Sequence, residues 1–368
     1  ARRSFSQSFP LNTPFRNIIW QEGGSRQTPG SGFKVLTALM AMDYVEQNIH
    51  LKQSLKVQQF LNGLSPGAYQ RQTGVSINQG KIPVYDQDYQ DKGYGKLNLA
   101  NYRETPMKQY FNRKLRKVGC SKNSHQKNTI GLESALMTSS NVWFTQLANL
   151  IDGSEIKKLD FSQSAQTLLQ SSHFLQLIER LQLDKSQPLF HFVEPPRNLA
   201  SWQHSPYVNV SPMQIELKTP DAGNARFSLL QLSIGQSVQV TPLHMARIAA
   251  LAATGNWQPT QWLDDPEQSI FSVADNKKLP IKADNLHLLQ RAMKATTEMG
   301  TAKNAFSGHA DQCRVYGKTG TAQVVKNKYN SAWFIGWREP LNKHDKRLAF
   351  ACMVTHLPTS KGFGGGDV

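Results

Sequence analysis

The chain has 368 residues, 39% of them hydrophobic and 18% charged, a composition that excludes disorder as the default state and allows one large core. Lysine and arginine total 42 against 26 acidic residues, a formal net charge of +16; such an excess speaks of anionic lipid, an acidic polymer or nucleic acid as partners and is silent on fold. No run nears the roughly 18 to 20 apolar residues that cross a bilayer, and the amino terminus, Ala-Arg-Arg-Ser-Phe-Ser-Gln, lacks the apolar segment of a signal peptide, so any anchor is expected outside this sequence.

Residues 1–30 are polar and turn-rich and end in Thr28-Pro29-Gly30. A helix is predicted from Ser31 to about Asn48, with Phe33, Val35, Leu36, Leu39, Met40 and Val45 covering most of its circumference, the mark of a buried helix. Residues 60–129 are rich in Tyr, Gln, Asn, Gly and Lys with weak periodicity, and carry a basic run from Arg113 to Lys127 that reads as a solvated face. Helical patterning returns at Ile130–Met137 and Val142–Ile151, parted by Thr138-Ser139-Ser140-Asn141. Residues 160–215 read as mixed helix and loop. From Thr241 a further helix is predicted, with Thr241 as N-cap, Pro242 at the first position and Gly255 past the end. Another covers Asp284 to Met299 and stops at Gly300. The last part changes period: Arg314–Val325, Ala332–Arg338 and Arg347–His356 are β-branched and aromatic, separated by short polar loops, and predict three consecutive antiparallel strands. The expected class is α+β, a mainly antiparallel sheet flanked by helices in one domain over 1–368. Cys120, Cys313 and Cys352 have no zinc-like spacing, and Cys120 with His125 makes at most half a metal site; neither metal nor cofactor is expected.

Three short motifs can carry chemistry. In Ser31-Gly32-Phe33-Lys34, residues three apart share a helix face, so the Lys34 amine can meet the Ser31 hydroxyl. A lysine whose charge is disfavoured by burial can take the proton from a serine nucleophile, and free N–H groups of a first helical turn can stabilise an oxyanion. Ser-x-x-Lys is common, recurring here at Ser124–Lys127 and Ser154–Lys157, but Lys34 is the single charge between Ser31 and Met42, and an unpartnered buried charge is costly. Ser139-Ser140-Asn141 lies between two apolar helices, where Ser139 can relay a proton and the Asn141 amide can hold a substrate amide; Ser and Asn are equally good N-caps for the helix that follows. The Ser-x-Asn string also recurs, at Ser76–Asn78 and Ser121–Asn123. Lys318-Thr319-Gly320-Thr321, preceded by Gly317, falls inside a predicted strand. Glycines weaken a strand interior, so two bracketing Lys-Thr suggest close approach to the backbone, and an edge bearing an ammonium and two hydroxyls suits a carboxylate.

Together, in this order, the motifs resemble penicillin-binding proteins and class A β-lactamases. Pro29-Gly30-Ser31-Gly32-Phe33-Lys34 is similar to the Pro-Gly-Ser-Thr-Phe-Lys of the transpeptidases, and Gly317 to Gln323 followed by Ala332-Trp-Phe-Ile-Gly336 to two of their strands. Ile234-Gly235-Gln236, Val240-Thr-Pro-Leu-His-Met-Ala246 and Gly300-Thr301-Ala302 resemble the monofunctional class B branch. The resemblance spans about 15–60 and 130–366 and implies a peptidoglycan D,D-transpeptidase. Ser31 would attack the penultimate D-Ala carbonyl, Lys34 act as base and Ser139 relay a proton to the leaving amine. Asn141 would orient the donor; Lys318, Thr319, Gly320 and Thr321 would bind the terminal carboxylate; the backbone N–H groups of Ser31 and Thr321 would form the oxyanion hole. Implied partners are stem peptides or a lipid-linked precursor, β-lactam antibiotics, a glycosyltransferase and the membrane surface, in an extracytoplasmic location. Nucleic-acid binding rests on charge alone and is not expected.

Some features depart from the family pattern. Position 32 is Gly where Thr is usual, and Ser237 stands where Gly is common. Most of 60–129 reads as an insertion, and the family's terminal elements and N-terminal pedestal are not seen. A β-lactamase would share the motifs, but the Glu-x-x-Leu-Asn segment of class A is absent, and Ser139-Ser140-Asn141 has the Ser-x-Asn form and not one that suggests class D. A D,D-carboxypeptidase and a penicillin sensor without peptide turnover remain as alternatives.

Overall fold

The computed structural model describes residues 26–73, 129–158, 171–188, 209–216, 222–259, 277–309, 314–325, 328–359, 362 and 364–367. The basic run, Cys120, Cys313 and the Ser-x-x-Lys and Ser-x-Asn strings at 76–78 and 121–127 lie outside them.

The centre is helix α1 (Lys34–Gln47), buried from Lys34 through Val45 as its apolar circumference requires. A 3-10 turn, Gly30–Phe33, precedes it, so the single helix expected from Ser31 begins one turn tighter. A tight turn fits here because the backbone at Gly30 is pressed against two other segments, as described below. Around α1 pack α2 (Lys52–Asn62), α5 (Asn141–Lys158), α6 (His173–Arg180) and α8 (Pro242–Thr254). Helix α3 (Pro66–Thr73) is joined to this core by Tyr69, whose ring stacks on Phe60, which stacks on Trp143. Leu64 and Ile130 exchange backbone hydrogen bonds of 3.0 and 2.8 Å. Ile130 is held by that bridge, and helix α4 (Leu132–Thr138) therefore starts after Gly131.

Helix α8 begins and ends as its sequence dictates. The Thr241 hydroxyl accepts from the His244 N–H at 3.3 Å, the His244 Nδ1 accepts from the Thr241 N–H at 3.2 Å, Pro242 opens the helix, and Gly255 closes it at φ 73°. Helix α7 (Ala222–Ser233) precedes it, and α9 (Ala283–Glu298) with the short α10 (Lys303–Phe306) leads into the sheet.

The sheet is a meander of β1 (Val315–Val325), β2 (Tyr329–Arg338) and β3 (Leu348–Pro358), antiparallel throughout, with Lys318 opposite Ile335 and Gly320 opposite Trp333. Its inner face, with Tyr316, Trp333, Ile335 and Trp337, joins the main core. On the other face Val315 and Phe334 form a small cluster with Ala302, Phe306 and Phe350. Helix α9 lies against β1 and α8 against β3. The fold is α+β, an antiparallel sheet flanked by helices. Among the described residues, three further pairs of two-residue strands are too short to leave a period in the sequence. No helix among the described residues is long and apolar enough to cross a membrane.

Candidate active site

The 3-10 turn has three residues per turn, which sets residue i+3 directly over residue i. Lys34 Nζ accordingly lies 3.0 Å from Ser31 Oγ. Lys34 is fully buried, and its amine nitrogen also lies within hydrogen-bond distance of the Ser139 carbonyl at 2.7 Å, Ser139 Oγ at 3.4 Å and Asn141 Oδ1 at 2.5 Å. It also stands 5.6 Å from the centre of the Phe144 ring. The buried polar group thus has the partners that its burial demands.

Ser139 reaches Lys34 through an uncommon backbone. It caps α4 with φ 60° and ψ 38°, the left-handed region, a conformation that costs a non-glycine residue roughly 1–2 kcal/mol. The next two residues divide the work that the sequence left open. Ser140 Oγ accepts from the Trp143 N–H at 3.1 Å and is the cap of α5. The Asn141 side chain turns to Lys34 instead; with Oδ1 occupied, its NH2 group is left to donate.

Along β1 the side chains alternate, so Lys318 and Gly320 share the inner face while Thr319 and Thr321 share the other. Lys318 is fully buried. Its amine donates to Ser139 Oγ at 2.9 Å, and curls about the strand edge to the Thr319 carbonyl at 2.8 Å and Thr319 Oγ1 at 3.2 Å. Burial, and after it the charge of Lys34, hold its pKa well below the ordinary lysine value. Ser31, Lys34, Ser139 and Lys318 thus form one continuous hydrogen-bonded chain, with Asn141 at its side.

The backbone closes tightly around the serine. A Cβ on Gly30 would fall 2.3 Å from the Thr321 carbonyl oxygen, one on Gly235 1.9 Å from the Gly30 carbonyl oxygen, and one on Gly320 2.4 Å from the Pro29 carbonyl oxygen. No side chain fits at any of these positions, and Gly30 and Gly235 also have φ of 52° and 77°. The turn carrying Ser31 is therefore set directly on the edge of β1 at Gly320-Thr321. Nearby, Trp333 Nε1 donates to the Thr28 carbonyl at 3.1 Å, and Gln27 pairs with Val240. A Cβ on Gly32 would meet the Met245 methyl at 3.3 Å.

The motifs did not single out two elements of this site. The Thr301 hydroxyl is 2.6 Å from that of Thr319. Gly365 donates its N–H to Thr321 Oγ1 at 3.0 Å, and its backbone packs on Gly320 so closely that a Cβ would lie 2.4 Å from the Gly320 carbonyl oxygen. The small residues in Gly300-Thr301-Ala302 and in the glycine run at 364–366 were the available signals.

Residues 94–367 match the family model for the penicillin binding protein transpeptidase domain. This span includes Ser139, Asn141 and Lys318 to Thr321, and the fold brings Ser31 and Lys34 to them from outside it. The fold is similar to that of penicillin-binding protein A from M. tuberculosis in its imipenem acyl-enzyme complex, with a TM-score of 0.50 and 18% identity over 96% of this chain and 60% of that one. A peptidoglycan glycosyltransferase from Burkholderia ambifaria gives a TM-score of 0.51 at 15% identity, covering 97% of this chain and 78% of that one. A chain from a study of the structural coordination of polymerization and crosslinking by a peptidoglycan synthase complex gives 0.50 at 14%, with 99% and 46% covered. The present chain thus spans 60% of the length of the M. tuberculosis protein. No curated protein matches it.

Proposed function

This chain belongs to the penicillin-binding protein transpeptidase domain family, and from that premise we propose that it is a serine D,D-transpeptidase crosslinking peptidoglycan stem peptides. The observation that carries the reading is the 3.0 Å approach of a fully buried lysine, Lys34, to Ser31 Oγ, the pairing of a nucleophile with a base.

Lys34 in its neutral form takes the Ser31 proton as Oγ bonds to the penultimate D-Ala carbonyl carbon. The oxyanion that forms is held by the N–H groups of Ser31 and Thr321. The C–N bond to the terminal D-Ala then breaks, and the leaving amine receives a proton through Ser139, whose hydroxyl lies between both lysines. Asn141 holds the donor peptide by its amide. Lys318, Thr319, Gly320 and Thr321 hold the terminal carboxylate at the strand edge. The amine of a second stem peptide attacks the ester, gives up its proton to the same base, and frees Ser31. A β-lactam presents a comparable carbonyl and leaves an ester on Ser31.

The extracytoplasmic location, a membrane-bound precursor and a glycosyltransferase partner belong to the same proposal. Similarity in fold to a chain of a peptidoglycan synthase complex supports them.

The test is intact-protein mass after exposure to a penicillin, on this chain and on Ser31→Ala, together with D-Ala release from a D-Ala-D-Ala peptide. A persistent adduct on the first protein alone, with D-Ala release, is expected. An adduct without any peptide turnover would point to a sensor, rapid release of hydrolysed antibiotic to a β-lactamase, and transfer only to water to a carboxypeptidase.

A further inference from the structure

We infer that Thr301 is a positioning residue for carboxylate recognition, setting the direction of the Thr319 hydroxyl; the inference rests on the reading of Lys318, Thr319 and Thr321 as the carboxylate site. The two hydroxyl oxygens are 2.6 Å apart, a full hydrogen bond, although eighteen positions separate them in the sequence. Thr319 Oγ1 also accepts from Lys318 Nζ at 3.2 Å.

A hydroxyl has two lone pairs and one proton. When Thr301 and Lys318 both donate to Thr319 Oγ1, both lone pairs are filled. The single Thr319 proton then has no competing role and is free for an anion at the strand edge. A donated bond also polarises the O–H that is passed on, which strengthens it as a donor. Without Thr301, one Thr319 lone pair is empty and the hydroxyl is no longer held from that side.

The backbone at Thr301 is fixed well enough for this role. Its N–H donates to the Met137 carbonyl at 3.2 Å, Ala302 N–H donates to the Thr296 carbonyl at 3.1 Å, and a Cβ on Gly300 would fall 2.4 Å from the Met137 carbonyl oxygen. Met137 stands two residues before Ser139 on the helix end that supplies it. One loop therefore grips both that helix end and Thr319. The Thr301 residue itself is solvent-exposed, so replacing its hydroxyl leaves the core intact.

The experiment measures acylation rates of the wild type, Thr301→Val and Thr301→Ser with a penicillin and with its carboxamide analogue, in which the carboxylate charge is gone. The quantity read is the carboxylate-to-amide rate ratio within each variant, which is independent of the fraction of active protein. Thr301→Val is expected to lower that ratio roughly tenfold, the scale of one hydrogen bond to a charged group, and Thr301→Ser to restore it. A ratio unchanged in Thr301→Val, or a ratio lowered in Thr301→Ser as much as in Thr301→Val, would overturn the role of Thr301. A wild-type ratio near one would overturn the carboxylate site itself, and absence of any adduct on the wild type would overturn the reading under Proposed function.

Discussion

Lys34 and Lys318 converge on one hydroxyl, that of Ser139, at 3.4 and 2.9 Å. The first arrives from a helix and the second from a strand. Both are fully buried, and two ammonium charges sharing one oxygen in a buried site disfavour each other.

The pair is therefore expected to lose a proton well below the ordinary lysine value of about 10.4. The acylation rate should rise with pH through that step if, as proposed, the neutral amine acts as the base. Lys34→Arg keeps the charge but cannot deprotonate, and should slow acylation by roughly 100- to 10,000-fold. Stopped-flow acylation across pH checks both, and a flat profile would remove the base role from the pair.

Ser139 separates hydroxyl chemistry from backbone strain. Ser139→Gly removes the hydroxyl and relieves the left-handed conformation, whereas Ser139→Ala removes the hydroxyl and retains the strain. Both variants should lose turnover to a similar degree. In urea, Ser139→Gly should be the more stable by about 1 kcal/mol. Equal stabilities would mean that the turn relaxes in solution.

His244 predicts an acid limb in the stability curve. Burial first, then the charges of Arg247 and Arg26, hold its imidazole down to about 3, and its Nδ1 is committed to the Thr241 N–H. The unfolded chain takes up a proton near the ordinary value of about 6.5, so this group's contribution is fully present above that value and is lost as pH falls towards 3. From pH 7 to pH 5 the loss is about 2 kcal/mol. Glutamine can complete the same capping arrangement without titrating. Asp152, buried with its pKa raised, acts in the opposite sense in both proteins. The difference between wild type and His244→Gln, from urea midpoints at the two pH values, isolates the histidine, and parallel curves would refute its role.

Ser237 has φ of 57°, a left-handed conformation that glycine adopts without strain. Ser237→Gly should raise unfolding stability by about 0.5–1 kcal/mol, after the greater freedom of glycine in the unfolded chain offsets part of the relieved strain. Chemical denaturation reads it directly.

Much of this was legible beforehand because it is local. The Ser31–Lys34 spacing is a property of any helical turn, the caps Thr241, Pro242 and Gly255 act within one helix end, and the three strands announce themselves by period and turn residues. The left-handed backbone at Ser139 was hidden, since a serine between helices reads as an ordinary cap; the cap proved to be its neighbour Ser140. The Thr301–Thr319 bond joins a loop to a strand, and no spacing rule connects them. Lys318 was placed on the correct strand, but the depth of its burial and its reach to Ser139 depend on how α4 ends against β1.

Gly30, Gly235 and Gly320 join three distant segments by backbone contact alone. A joint of this kind has no side chains to trim or lengthen, so it cannot be adjusted by degrees: at each position any side chain forces the segments apart. Gradual adjustment of the cleft is thus left to its rim, where Thr301 and the glycine run at 364–366 stand, while the seat of Ser31 itself is closed to it.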